Sequence, residues 1–228
     1  MTVLLVLFTL ITFLVTDYFV QKSRSSAARA KGEARSYQQL LLPSRHFPDD
    51  ASLTINHTWA RHDRDGTTTL GLDEFLGRLV GTVESIVLPE VGTRVTPATI
   101  GIALRQGNKT LELSSPLAGC VVTVNPDILK NPSIVRSDPY GKGWLMTVKP
   151  DAEDNTLFKK FVVEKPAEWL TQQTERAKEF FHEHLAQGQL ALMQDGGIPA
   201  QGLLQECDPE VWAAFKESFV ALDDPQIH

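Results

Sequence analysis

Few side chains in this 228-residue sequence are spaced for chemistry of their own. There is no glycine-rich phosphate loop and no nucleophile elbow in it. The run Asp63–Thr67, followed by Glu74, is similar to a calcium loop, but Thr68 stands where such a loop needs glycine, which favours a hairpin turn. His182 and His184 are alternate residues of a predicted helix and point in different directions, which disfavours a metal site. These residues therefore provide no candidate for an active site.

The remaining candidate is Lys109, which directly follows a predicted two-residue turn at Gly107–Asn108. This turn sets a hairpin register in which Gln106 faces Lys109, Leu104 faces Leu111 and Ile102 faces Leu113. The large apolar pairs then share one face, as a half-buried hairpin requires. The opposite face takes Ala103, Arg105, Thr110 and Glu112. A lone lysine beside a turn is usually only solvated.

Composition and charge limit the classes of function. Hydrophobic residues make up 42% of the chain, charged residues 22%, and the net charge is -6, which is typical of a globular protein with a core. Basic residues dominate from Lys22 to Arg45, whereas acidic residues dominate from Asp151 onward. This distribution favours contact with anionic lipid and argues against nucleic-acid binding. Cys120 and Cys207 have no metal-ligand spacing, so we expect two inert, buried thiols in a reducing compartment.

The N-terminus is apolar from Val3 to Val20. As a helix this run would be roughly 27 Å long, just enough to cross a bilayer. A cleaved signal peptide is the alternative; the lack of Lys or Arg before the run disfavours it, although Ser25–Ala28 could serve as a cleavage site. Basic residues follow the run, so we predict a single-pass helix with the domain on the cytoplasmic side of the inner or plasma membrane.

Four parts are expected along the chain: a transmembrane anchor at 1–21, a basic and then polar tether at 22–53, a β-rich domain at 54–150 and a helical extension at 151–228. Short strand-like runs with turn signals fill the domain, together with a short helix capped by Asp73. In the extension, helical spacing predicts helices over Pro166–Leu185 and Pro209–Val220. Their aromatic stripes indicate packing against the domain.

Several short motifs of the domain resemble those of one known family. They are His57-Thr58-Trp59, Gly71-Leu72-Asp73, the loop Leu88–Thr93, Ser115–Gly119 with Asn125, and Asp138–Leu145. Together they are similar to the H protein of the glycine cleavage system, over a little less than half of the chain. The resemblance implies a mainly β fold of the lipoyl/H-protein type, a barrel-sandwich hybrid with short helices. It also implies that His57 is structural, and that the protein is a carrier or interaction protein without its own active site.

The resemblance implies lipoate on a lysine at the apex of the hairpin, and it implies glycine cleavage or other lipoamide-using enzymes as partners. Asn108 occupies the expected lysine position, Lys109 lies one residue later, and Arg105 replaces the usual acidic residue. Two hypotheses follow. Either Lys109 carries lipoate and the protein is a membrane-tethered carrier of aminomethyl or redox equivalents. Or lipoylation is lost, and the fold serves as a scaffold or binding module in a membrane-associated complex.

Overall fold

The computed structural model describes residues 47–151, 155–185 and 201–222. The predicted anchor at 1–21 lies outside this part of the chain, as does most of the predicted tether. No helix within the described ranges is both long enough and apolar enough to cross a membrane.

Antiparallel strands build the domain, which confirms the mainly β prediction. Within the described ranges they form a six-stranded sheet, in the order β1-β2-β3-β9-β8-β5, and a three-stranded sheet, β4-β6-β7. The strands are β1 (Ser52–Leu53), β2 (Thr58–His62), β3 (Thr68–Leu72), β4 (Ser85–Val87), β5 (Arg94–Val95), β6 (Ile100–Gln106), β7 (Lys109–Ser114), β8 (Gly119–Val124) and β9 (Trp144–Pro150).

Short helices connect the strands, and longer ones follow them. They are α1 (Glu74–Val80), α2 (Pro126–Lys130), α3 (Ile134–Ser137), α4 (Asn155–Phe161), α5 (Pro166–His184), a 3-10 turn (Leu203–Glu206), α6 (Pro209–Phe215) and a π turn (Lys216–Val220). Asp73 caps α1, since its Oδ1 accepts a hydrogen bond from the Leu76 amide at 2.8 Å. The predicted helices are confirmed, except that the last one changes to a π turn after Phe215.

The β6–β7 hairpin has the predicted register, with Gln106 opposite Lys109 and Leu104 opposite Leu111. Gly107 is the first central residue of the turn, and its φ of 56° is a conformation that favours glycine. Ile102, Leu104, Leu111 and Leu113 are buried on the inner face, whereas Arg105 and Thr110 are exposed on the outer face. The alternation of the two strands therefore determines which side chains of the hairpin reach the core.

The C-terminal helices pack on the same hydrophobic core as the sheets. Phe215 and Phe219 stack with ring centroids 4.6 Å apart, and Phe180 of α5 meets both of them edge to face. The ring centroid of Phe75, in α1, lies 6.4 Å from that of Phe219. The aromatic stripes seen in the sequence are thus packing surfaces, as predicted.

Gly71 provides a test of this packing, because a Cβ at this position would overlap the buried Trp59 indole. We expect Gly71→Ala to lower the free energy of unfolding by about 1–3 kcal/mol, measured by urea denaturation.

Gly77→Ala is the matched control within α1, where the nearest atom to an added Cβ is 3.5 Å away. Alanine is favoured over glycine in a helix by roughly 0.5–1 kcal/mol, so this variant should be as stable as the wild type or more stable. Equal stability of Gly71→Ala and the wild type would contradict the placement of Trp59.

Candidate functional site

The side chain of Lys109 lies at the tip of the hairpin and on its inner face. Its Nζ donates hydrogen bonds to the backbone oxygens of Gln205, at 2.6 Å, and Cys207, at 3.1 Å. The same Nζ is 5.3 Å from the centroid of the Trp212 ring, within range of a cation–π interaction. The amine is therefore held by the C-terminal segment and is not presented to solvent as a free lysine would be.

The two acceptor oxygens belong to the end of the 3-10 turn, where carbonyl groups lack partners within the helix. Gly202 begins this turn with a φ of 74°, and its amide donates to the Arg78 oxygen at 2.8 Å. A Cβ on Gly81 would lie only 2.6 Å from the Gly202 Cα. Two glycines thus allow the turn to approach α1 closely enough for its carbonyls to reach Lys109.

The C-terminal segment holds both sides of β7. Lys109 points to the inner face of the hairpin, whereas Glu112 points to the outer face. Lys216 of the π turn donates to Glu112 Oε2 at 2.7 Å. Since residues on opposite faces of one strand are bound by one segment, this segment passes along the edge of β7 that no other strand of the described ranges occupies. We refer to residues 201–220 as the C-terminal cover.

A carboxylate remains at the tip of the hairpin, although Arg105 replaces the expected acidic residue. Glu84 precedes β4, and its Oε2 accepts a hydrogen bond from the Gly107 amide at 3.0 Å. Arg105 is exposed on the outer face. The charge inversion seen in the sequence is therefore partly offset in space by a residue from the neighbouring strand segment.

Cys207 and Trp212 form the inner side of the C-terminal cover. Burial raises the pKa of the Cys207 thiol to about 11, and the nearby Lys109 offsets part of this effect. The thiol donates to the Leu203 oxygen at 3.2 Å, and the Trp212 indole donates to the Leu204 oxygen at 2.5 Å. Cys207 is therefore a protonated, buried thiol at neutral pH, in agreement with the inert thiol expected from the sequence.

A second polar cluster lies apart from the hairpin and has a structural character. His57 is fully buried with a φ of 61°, and its Nδ1 lies 2.6 Å from Asp73 Oδ2. Phe75 and Trp169 lie on the imidazole, with centroid distances of 4.7 and 4.8 Å. Since Asp73 also caps α1, this cluster joins α1 and α5 to the start of β2. His57 Nε2 is buried and has no hydrogen-bond partner among the described residues.

Tyr140 lies beside this cluster, and its hydroxyl accepts a hydrogen bond from the Glu74 amide at 3.3 Å. Burial, with a further contribution from Asp73, raises the pKa of Tyr140 above its ordinary value. The phenol is therefore neutral at any physiological pH, which fits a packing role.

The other residues considered from the sequence do not join the hairpin site. His182 and His184 are exposed on α5, and His184 Nδ1 lies 2.9 Å from the Phe180 oxygen. Asp63–Gly66 forms the predicted turn between β2 and β3. Cys120 is exposed on β8, so the expectation of a buried thiol is wrong for this residue, because the alternation of the strand places its side chain on the outer face. What the sequence did not reveal is the contact of Lys109 with Gln205 and Cys207, which lie almost a hundred residues further along the chain.

Comparisons with known proteins agree with this fold. The family model described as glycine cleavage H-protein matches residues 52–174, more than half of the chain. The glycine cleavage system H protein of Pseudoalteromonas atlantica is 37% identical over 110 residues, which cover 48% of this chain and 84% of that protein. The one from Mycolicibacterium vanbaalenii is 34% identical over 107 residues, 47% of this chain and 82% of its own.

A solved structure was also matched, that of a glycine cleavage system H protein from Mycobacterium marinum. It has 27% sequence identity and a TM-score of 0.47, with 56% of this chain and 98% of that chain covered. Because the family model extends over more than half of the residues, the chain belongs to the glycine cleavage H-protein family.

Proposed function

We propose that this chain is a membrane-associated binding module that uses the H-protein fold without a lipoyl arm. The observation that carries the proposal is the position of Lys109, whose amine donates to two backbone oxygens of the C-terminal cover. The domain would bind a partner protein and perform no chemistry itself. Glycine cleavage enzymes, or other enzymes that use lipoamide, are the partners that the family suggests.

Lipoate fits poorly on this hairpin. An arm that visits separate active sites needs its lysine at the exposed apex, but the apex residue is Asn108. Lys109 is on the inner face, where acylation would remove its positive charge and leave one N–H in place of three. The two acceptor oxygens then lose their charge-assisted hydrogen bonds, which stabilise the contact more than neutral hydrogen bonds do. A lipoyl group on Lys109 would thus compete with the C-terminal cover.

The cover is also difficult to displace as a whole. Leu203, Leu204, Phe215 and Phe219 of this segment are all at most 4% exposed. Burial of such side chains contributes about 1.5–3 kcal/mol each, so these four contribute on the order of 6–12 kcal/mol, as an upper estimate. A carrier that had to release this segment in every cycle would be slow. This comparison favours the module over the carrier of aminomethyl or redox equivalents.

Membrane association is the second part of the proposal, and its support comes from the sequence. The apolar run Val3–Val20 and the basic residues after it fit a single-pass anchor with the domain in the cytoplasm. A tethered module is useful where its partner is also at the membrane. An anchor is less suited to a shuttle among dissolved enzymes, because it restricts diffusion.

The first test is the intact mass of the full-length protein purified from its native host, with peptide mapping across residues 105–130. We expect an unmodified Lys109 in cells whose other lipoyl proteins are modified. A mass increase of about 188 Da on Lys109, as expected for a lipoyl group, would establish the swinging-arm carrier and overturn the module.

Asn108→Lys is the matched control, because it places a lysine at the exposed apex and leaves Lys109 in the same molecule. No atom lies within 4 Å of a Cβ added at the neighbouring Gly107, so the tip of the turn is open. We expect lipoate on residue 108 of this variant and none on Lys109. This result would show that the host's lipoylation enzymes are able to reach the hairpin.

Protease protection tests the orientation of the domain. In intact spheroplasts the C-terminus of the full-length protein should resist added protease, and it should be digested after lysis. Digestion before lysis would place the domain outside the cytoplasm, where it could not meet cytoplasmic lipoamide-using enzymes, and would contradict the proposed localisation.

A further inference from the structure

We infer that the Lys109 ammonium is a latch: the 3-10 turn of the C-terminal cover closes on the charged amine, so that acylation of Lys109 and closure of the turn oppose each other. The inference rests on the proposed function and deepens it, because it states what controls access to the same hairpin. It applies to a lipoyl group and equally to a smaller acyl group such as acetyl.

The geometry of the turn supports a latch. The contacts of Nζ with Gln205 O and Cys207 O are at the end of the 3-10 turn, and Trp212 lies beneath the amine. The Thr82 amide donates to Gln205 Oε1 at 3.3 Å, a long and neutral bond at an exposed position. Among the described polar contacts of Gln205 and Cys207, those with Lys109 are the ones that involve a charge. The charge of Lys109 is thus the main polar attachment of this turn to the hairpin.

Acylation would change this attachment in a defined way. The unprotonated Nζ attacks the carbonyl carbon of an activated acyl donor, such as a thioester or acyl adenylate. The leaving group departs with the bonding electron pair, and the proton of the amine goes to solvent. The product is a neutral amide, which cannot make two charge-assisted hydrogen bonds or a cation–π contact.

Linkage makes the effect reciprocal. If acylation weakens closure of the turn by a given factor, closure makes acylation less favourable by the same factor. The coupling acts on the end of the turn, from Gln205 to Cys207, whereas the buried Leu203 and Leu204 hold the start of the turn in both states. Phe215 and Phe219 likewise hold α6 and the π turn to α5. A closed turn therefore keeps Lys109 unmodified, and a modified Lys109 leaves the turn open more often.

Cys207 reports opening of the turn, because its thiol is buried within the turn, and Cys120 is an exposed internal reference. The experiment measures alkylation of both thiols by iodoacetamide in the full-length protein in detergent micelles. Wild type is compared with protein that carries acetyllysine at position 109. We expect alkylation of Cys207 to accelerate about 5- to 150-fold, the usual range for such couplings, with the rate at Cys120 unchanged.

The direction of the change is diagnostic. Lys109 lowers the pKa of Cys207, so loss of its charge would raise that pKa and slow the reaction of a thiol that stayed closed. Faster alkylation can then come only from opening. Lys109→Arg keeps the charge and should retain slow alkylation. Lys216→Met removes another ammonium from the same segment, at an exposed ion pair, and should change the rate less than about fivefold.

Hydrogen exchange separates a latch from general loss of stability. Peptides from residues 203–212 should exchange faster in the acetylated protein, whereas peptides from β9 should not. Unchanged alkylation of Cys207, or an equal rise of exchange in β9, would overturn the latch. Lipoate on Lys109 in the native protein would overturn the proposed function, whereas the alkylation rate of Cys207 tests the latch separately.

Discussion

The contact of one ammonium group with two backbone oxygens connects the hairpin to the C-terminal part of this protein. Lys109 lies on the inner face because it is two residues from the buried Leu111 on a strand whose side chains alternate. Lys109 is partly buried on this face, and charge-assisted hydrogen bonds stabilise an ammonium there more than neutral ones would. The carbonyl oxygens at the end of the 3-10 turn accept these hydrogen bonds. The position of the lysine and the presence of the C-terminal cover therefore depend on each other.

The C-terminal cover also shields the edge of strand β7. β7 is the longer edge strand of the three-stranded sheet, and a free edge of this length is a template for pairing with other chains. The segment that binds Lys109 and Glu112 passes along this edge and packs against it. The fold is thereby protected from association through β7. The outer face of the hairpin, which carries Arg105 and Thr110, stays accessible and is the surface left for the partner of the proposed module.

The sequence predicted what local rules determine. Alternating apolar residues around Gly107–Asn108 set the hairpin register, and helical spacing located α5 and α6, since periodicity depends on residues near in sequence. The contact between Lys109 and Cys207 was not predictable in this way, because it joins distant segments through backbone oxygens, which every residue has. The sequence also did not indicate that the Glu84 carboxylate would lie at the hairpin tip. This position depends on the pairing of β4 with β6, which are not adjacent in the sequence.

The buried His57–Asp73 pair connects the C-terminal helices to the H-like domain. The imidazole lies against both Trp169 of α5 and Phe75 of α1, and Phe75 in turn approaches Phe219. At the other end of the cover, Lys109 holds the 3-10 turn. The extension is thus attached to the H-like domain both by aromatic contacts, at His57 and Phe75, and by ionic contacts, at Lys109 and at the Lys216–Glu112 pair. Because the aromatic attachment does not depend on charge, a change at Lys109 would alter the turn and leave α5 and α6 in place. This separation is what the proposed latch requires in a protein whose helices share one core with its sheets.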